Sequence, residues 1–171
     1  MKKYKIFSYK LEKSKKNNHL NQLINDACLV YNRCIALHQR YYNLFRKYVK
    51  GKDIISHFIK IKKLKKYKYI ADLYAQTVDD IVYKVDREYF SFFCNKNKNI
   101  KASSPAFSKL YDYKSFSLFQ NGYEFLGGNT VRIGNNNYKY IKTCGMEGTV
   151  KKLTVRRDDI GNMYIDVLCE L

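Results

Sequence analysis

Carboxylates are the residues of this chain with most obvious chemical potential. Asp79, Asp80 and Asp86 fall in one segment, Asp158 and Asp159 adjoin, and Asp166 stands within Tyr164-Ile165-Asp166-Val167. Hydrolysis of a phosphodiester by two metals needs several carboxylates converging on ions ~4 Å apart. The first three are spaced as on any polar helix face. The Asp158-Asp159 pair sits where a turn favours Asp for local reasons, and Asp166 reads as a satisfied or exposed strand residue. His19, His38 and His57 have no Cys or Glu at metal-ligand spacing, and Cys28, Cys34, Cys94, Cys144 and Cys169 include no C-x-x-C pair. No Ser or Cys has a convincing base, and no Walker-type glycine loop occurs. The residues by themselves therefore assign no catalytic residue, no metal site and no cofactor.

Binding chemistry is better represented. The chain carries 33 Lys+Arg against 15 Asp+Glu, a formal net charge of +18. That excess opposes compaction by self-repulsion and suits a polyanionic partner, with nucleic acid ahead of an anionic membrane surface. Six of the nine residues from Lys60 to Lys68 are Lys, and Lys62, Lys63, Lys65 and Lys66 lie beside Tyr67 and Tyr69. Tyr138-Lys139-Tyr140 repeats the interleaving. Tyr rings stack on bases while Lys meets phosphates. The segment Val150–Arg157 adds Lys151, Lys152, Arg156 and Arg157. Strict alternation puts Lys152 and Arg156 on one face of a strand and Lys151 and Arg157 on the other.

The elements that must position these residues follow from hydrophobic period. Tyr69 to Phe93 repeats apolar residues at helical spacing, through Leu73, Val78, Ile81, Val82, Val85 and Tyr89, and predicts a long helix from near Asp72 to near Cys94. Leu20 to Tyr48 predicts another of about eight turns, with Asn17 and Asn18 as capping candidates and Gly51 as its stop. Between them, Asp53 is placed to cap a helix running to about Lys66, with Ile54, Phe58, Ile61 and Leu64 inward. Asn95 to Ser104 has linker composition, and Pro105 closes the helical half.

From Phe107 the period becomes two. Strands are predicted at Ser115–Phe119, Tyr123–Leu126, Thr130–Ile133, Tyr138–Lys142, Val150–Arg157 and Met163–Glu170, separated by Gly- and Asn-rich turns. A first strand, Lys3–Leu11, has no partner nearby in sequence and is expected to pair with this group. The fold class is α+β: a small antiparallel β-barrel with a helical insert after its first strand. The expected limits are residues 1–12 for that strand, 13–104 for the insert and 105–171 for the rest of the barrel. No apolar leader follows Met1-Lys2-Lys3, and no uncharged run approaches the ~20 residues of a membrane span. Scattered thiols and no leader suggest a cytoplasmic protein without a membrane partner.

In order and spacing, several segments resemble the N-terminal part of TnpB, the RNA-guided nuclease of insertion sequences, related to type V CRISPR effectors. They are the first strand Lys3-Tyr4-Lys5-Ile6-Phe7, Val30-Tyr31-Asn32, Leu73 to Val78, Val85 to Phe93, Pro105-Ala106-Phe107, Ser115-Phe116, and Glu147 to Arg157 with Met163-Tyr164-Ile165. The resemblance spans nearly the whole chain and implies a wedge barrel interrupted by a recognition domain. It implies partners in a guide RNA and target DNA, whose sequence is read by base pairing while protein reads backbone shape and a short motif. Readers of that motif map to Tyr74, Ala75, Gln76 and Asp79, although the family often has Gln where Asp79 stands. A basic Pro-Arg-Phe-Lys of the family is here Pro105-Ala106-Phe107-Ser108, with Lys109 as the replacement phosphate contact. The family's RuvC-like nuclease half corresponds to nothing within these residues. The resemblance thus implies binding of RNA and DNA without cutting unless that half follows Leu171 or acts in trans. The alternatives are a stand-alone DNA-binding regulator, a helical interaction protein, or a degenerate remnant without a ligand.

Overall fold

Alternation with period two builds one seven-stranded antiparallel sheet. In the computed structural model, which describes residues 1–171, the strands are β1 (Tyr4–Leu11), β2 (Ser115–Leu118), β3 (Tyr123–Gly127), β4 (Thr130–Ile133), β5 (Asn136–Ile141), β6 (Thr149–Arg157) and β7 (Met163–Glu170). Their order is β2-β6-β7-β1-β5-β4-β3. The isolated first strand does join the C-terminal group: it pairs β7 from Tyr4↔Glu170 to Lys10↔Tyr164, and pairs β5 at Lys10↔Ile141 and Leu11↔Tyr140. One face is apolar. Phe7, Tyr9, Leu11, Leu153, Val155, Ile165 and Val167 are each at most 3% exposed, and each occupies an alternate position of its strand. Burying a large apolar side chain contributes ~1.5–3 kcal/mol, so a one-residue slip of register would expose the whole face.

The expected barrel is not closed by hydrogen bonds. β2 and β3 form the two edges, and no ladder joins them. Both have a partner on one side only: β2 pairs β6, while the Gly127-Gly128 turn, at positive φ, folds β3 into a hairpin with β4. What connects the edges is the tight turn from Phe119 to Gly122, where Gly122 N–H donates to the Phe119 carbonyl at 2.9 Å.

Four helices lie between β1 and β2 in sequence, so the chain is α+β: α1 (Asn17–Phe45), α2 (Gly51–Ile61), α3 (Lys68–Asp72) and α4 (Ala75–Asn97). Contacts divide the chain into a β unit, Met1–Ile24 with Lys114–Leu171, and a helical unit, Asn25–Tyr113. The boundaries thus fall within α1 and just before β2, where composition sets them at residues 12/13 and 104/105. None of the helices is long and apolar enough to cross a membrane.

Several helix limits differ from those that periodicity predicts. Asn17 does not cap: its Nδ2 donates to the Glu12 carbonyl at 3.1 Å, and its Oδ1 has no partner. α1 stops before Gly51, at Arg46, which takes the left-handed conformation (φ 52°) usually left to glycine. Leu44 and Phe45, in its last turn, are exposed. Gly51 instead opens α2 and is a close-packing position: a Cβ there would meet the Tyr83 ring at 3.3 Å and the Asp86 carboxyl carbon at 3.4 Å. Lys50, not Asp53, is the N-cap of α2, and Asp53 lies in the first turn, where its charge suits the helix dipole. α2 ends at Ile61 rather than Lys66. Ile54 and Phe58 are buried as expected, but Leu64 lies beyond the end and is exposed. The long helix starts three residues later than predicted: Leu73 and Tyr74 are extended (ψ 150° and 140°), and Leu73 is buried there.

Candidate nucleic-acid interface

The lysine run is placed by the end of α2. Lys62 caps the helix at its C-terminus, Lys65 and Lys66 lie in a single 3-10 turn, and Lys62, Lys63, Lys65 and Lys66 are all exposed. Cations near a helix C-terminus oppose its partial negative charge. These four form no salt bridge, whereas Lys68 pairs with Asp72 at 2.9 Å. Tyr67 beside them is already engaged: the Arg33 guanidinium lies 5.2 Å from its ring centre and the Lys66 ammonium 5.6 Å. Arg33 is a contributor that sequence reasoning missed, since 34 residues separate it from Tyr67. Its only signal was a cation on an otherwise apolar stretch of α1.

The residues mapped as motif readers gather at the start of α4. Tyr74 is the N-cap, with no side-chain capping bond, so the first N–H groups of the helix lack that partner. Gln76 is exposed, and Tyr74 and Asp79 are half-buried. Asp79, Ala75 and Lys62 line one cavity of about 250 Å³, which brings the first residue of the lysine cluster to the motif-reader group. Burial pushes the Asp79 carboxyl above its ordinary range, against the pull of Lys62.

β6 carries the second basic group, but its charges are unequally free. A bulge between Val150 and Lys152 adds one residue to the strand and turns Lys151 out of strict alternation. Lys151 therefore joins the outer face and pairs with Glu170 at 2.9 Å, a carboxylate that also receives Lys2 at 2.9 Å. These two ammonium groups hold the Glu170 carboxyl below its usual range. Arg156 donates to Asp166 through Nε at 2.8 Å and Nη2 at 3.3 Å, and lies 4.5 Å over the Tyr164 ring. Asp166 also accepts from the Ser8 hydroxyl at 2.7 Å, so it is a satisfied outer-face residue. Arg157 reaches the Asn21 side-chain oxygen at 2.6 Å. Lys152, opposite Leu168, has no ion pair. Lys109 belongs to the helical unit, and Lys151, Lys152, Arg156 and Arg157 belong to the β unit.

The stacking role expected of Tyr138 and Tyr140 is not available. Alternation puts both on the core face, 2% and 7% exposed, and Tyr140 packs 5.2 Å from Tyr9. In the helical unit, Asp86 accepts from the Tyr48 hydroxyl, which also donates to the Asp86 carbonyl at 2.6 Å. Asp158 accepts from the backbone N–H groups of Ile160 and Asn162 within its own turn. No cluster of three or more His, Cys, Asp or Glu side chains has metal-binding geometry. No protein-family model matches the chain, and none of the curated proteins compared with it matches.

Proposed function

We propose that this chain is a nucleic-acid-binding module of the TnpB type, a wedge-like β unit with a helical recognition unit inserted after its first strand. Its partners are a guide RNA and target DNA. Cleavage requires a RuvC-like half from beyond Leu171 or in trans, and the module works in the cytoplasm without a membrane. The observation that carries the reading is uncompensated charge: Lys62, Lys63, Lys65 and Lys66 are exposed without a salt bridge in a chain of net charge +18. Such lysines release counterions when they meet phosphates. Further support comes from the insertion of all four helices between β1 and β2 while β1 pairs β7. The start of α4, with Tyr74, Gln76 and Asp79 beside Lys62, is the proposed DNA-reading edge. Lys109, Lys151, Lys152, Arg156 and Arg157 are the proposed RNA contacts, with Lys152 the least encumbered of those on β6. The β2 and β3 edges, linked by one short turn, suit a split barrel.

Mobility shift with structured RNA transcribed from the locus of the gene tests the reading. Retention of that RNA at salt concentrations where random duplex DNA is released is expected. Equal affinity for both at every salt concentration overturns it.

A further inference from the structure

The C-terminal halves of α1 and α4 line a cavity of about 320 Å³ in the helical unit, at the lower end of the ~300–1,000 Å³ usual for small-ligand sites. Its wall is a series of rings. His38 stacks on Tyr89 with centres 4.3 Å apart and planes at 20°, and Tyr89 continues onto Phe93 at 6.3 Å and 27°. Tyr42 approaches Phe93 at 5.7 Å. Lys47 and Lys96 also line the cavity; both are exposed and neither forms a salt bridge. Two polar atoms in these lining residues, His38 Nε2 and the Tyr89 hydroxyl, are buried without a hydrogen-bond partner, in side chains only 3% and 6% exposed. Nothing in the proposed interface uses this cavity.

We propose that the cavity receives one unstacked nucleobase of a bound single strand, an inference that rests on the nucleic-acid reading above. Aromatic faces accept any base, because every base has a π-face. Lys47 and Lys96 meet the phosphates on either side of it. The amides of Gln39 and Asn43, which share the lining, offer donors and acceptors to its edge. The volume admits a base with its sugar rather than a duplex. RNA and DNA strands present the same π-face, so the sugar is left for experiment to decide.

Fluorescence anisotropy of the full chain with twelve-residue single strands tests this. The probes are ribose and deoxyribose strands with bases, each compared with the same backbone made abasic. A strand with bases is expected to bind about tenfold more tightly than its abasic counterpart, equivalent to ~1.4 kcal/mol. The ribose and deoxyribose arms identify the source. Tyr42→Ala, at a wall residue 36% exposed, lowers that ratio toward one while leaving abasic binding unchanged, and Tyr42→Phe restores it. Quenching of a 2-aminopurine strand by the unaltered protein provides a readout that needs no variant. Equal binding of based and abasic strands, absence of quenching, or a ratio unmoved in a folded Tyr42→Ala protein overturns the inference while the broader reading stands. Failure to bind any strand, abasic or not, removes both.

Discussion

Asn32 brackets the backbone of Ser108. Its Oδ1 accepts the Ser108 N–H at 2.8 Å, and its Nδ2 donates to the Ser108 carbonyl at 2.9 Å. A side-chain amide here does what a neighbouring strand would do, and pins the segment after Pro105 to α1. Lys109, a proposed phosphate contact, is the next residue. Asn32→Ala leaves the Ser108 N–H without its partner and its carbonyl with only the weak Cys28 thiol donor at 3.6 Å, and is expected to cost ~1–3 kcal/mol in urea denaturation. Ser108→Ala is expected to change little, because both bonds go to the main chain. Equal effects of the two substitutions would refute the bracket.

Gly148 predicts a second stability result. Its φ is +85°, and a Cβ there would run into the backbone carbonyl of Glu170. Strand backbone cannot move aside as a flexible side chain can. Gly148→Ala is expected to destabilise by ~2 kcal/mol or more, whereas Gly145→Ala, with open space around it, is expected to be near neutral. Thermal or urea unfolding of the pair checks this.

His38 makes stability depend on pH. Burial lowers its pKa from 6.5 to about 4, against the pull of Asp86; Tyr48 and Tyr89 are the other titratable groups against the ring. Between those values the unfolded chain binds a proton that the folded chain does not. Stability therefore rises with pH across the window and is lost as pH falls from about 6.5 to about 4. The full effect is on the order of 3 kcal/mol. The urea midpoint is expected to drop between pH 7 and pH 4.5, and His38→Phe should flatten that drop. A parallel decline in the variant would assign the sensitivity elsewhere.

Much of this arrangement is legible in the sequence, for a physical reason. Strands with one buried face must alternate, and this period predicts Thr130–Ile133 and Met163–Glu170 to the residue. Periodicity does not report which residue breaks a helix. Gly51 looks like a terminator and is a close-packing position, while Arg46 takes the left-handed turn without any glycine signal. Nor does it report a bulge, so alternation misplaces Lys151; the interleaving of Tyr138 and Tyr140 with Lys points to stacking, although alternation turns both rings to the core. The Asn32 bracket was invisible because it joins residues 76 apart, one of them in a segment next to a linker-like run.

The pairing on the outer face of β6 orders its charges by availability. Lys152→Ala is expected to lower RNA affinity a few-fold and to reduce the salt slope by about 1. Arg156→Ala should do less, since its guanidinium is held by Asp166. Glu170→Gln releases Lys2 and Lys151 and is expected to tighten binding. Anisotropy titrations across a salt series check all three, and an Arg156 effect larger than that of Lys152 would contradict the order.

Uncompensated lysine as a phosphate-binding surface is tested most directly by the salt dependence of duplex DNA binding after charge reversal at Lys62, Lys63, Lys65 and Lys66. With ~0.9 counterion released per duplex phosphate contact, four lost contacts make the slope of log K against log salt shallower by about 3.6, together with a large loss of affinity at low salt. An unchanged slope and affinity in a folded variant would contradict the account.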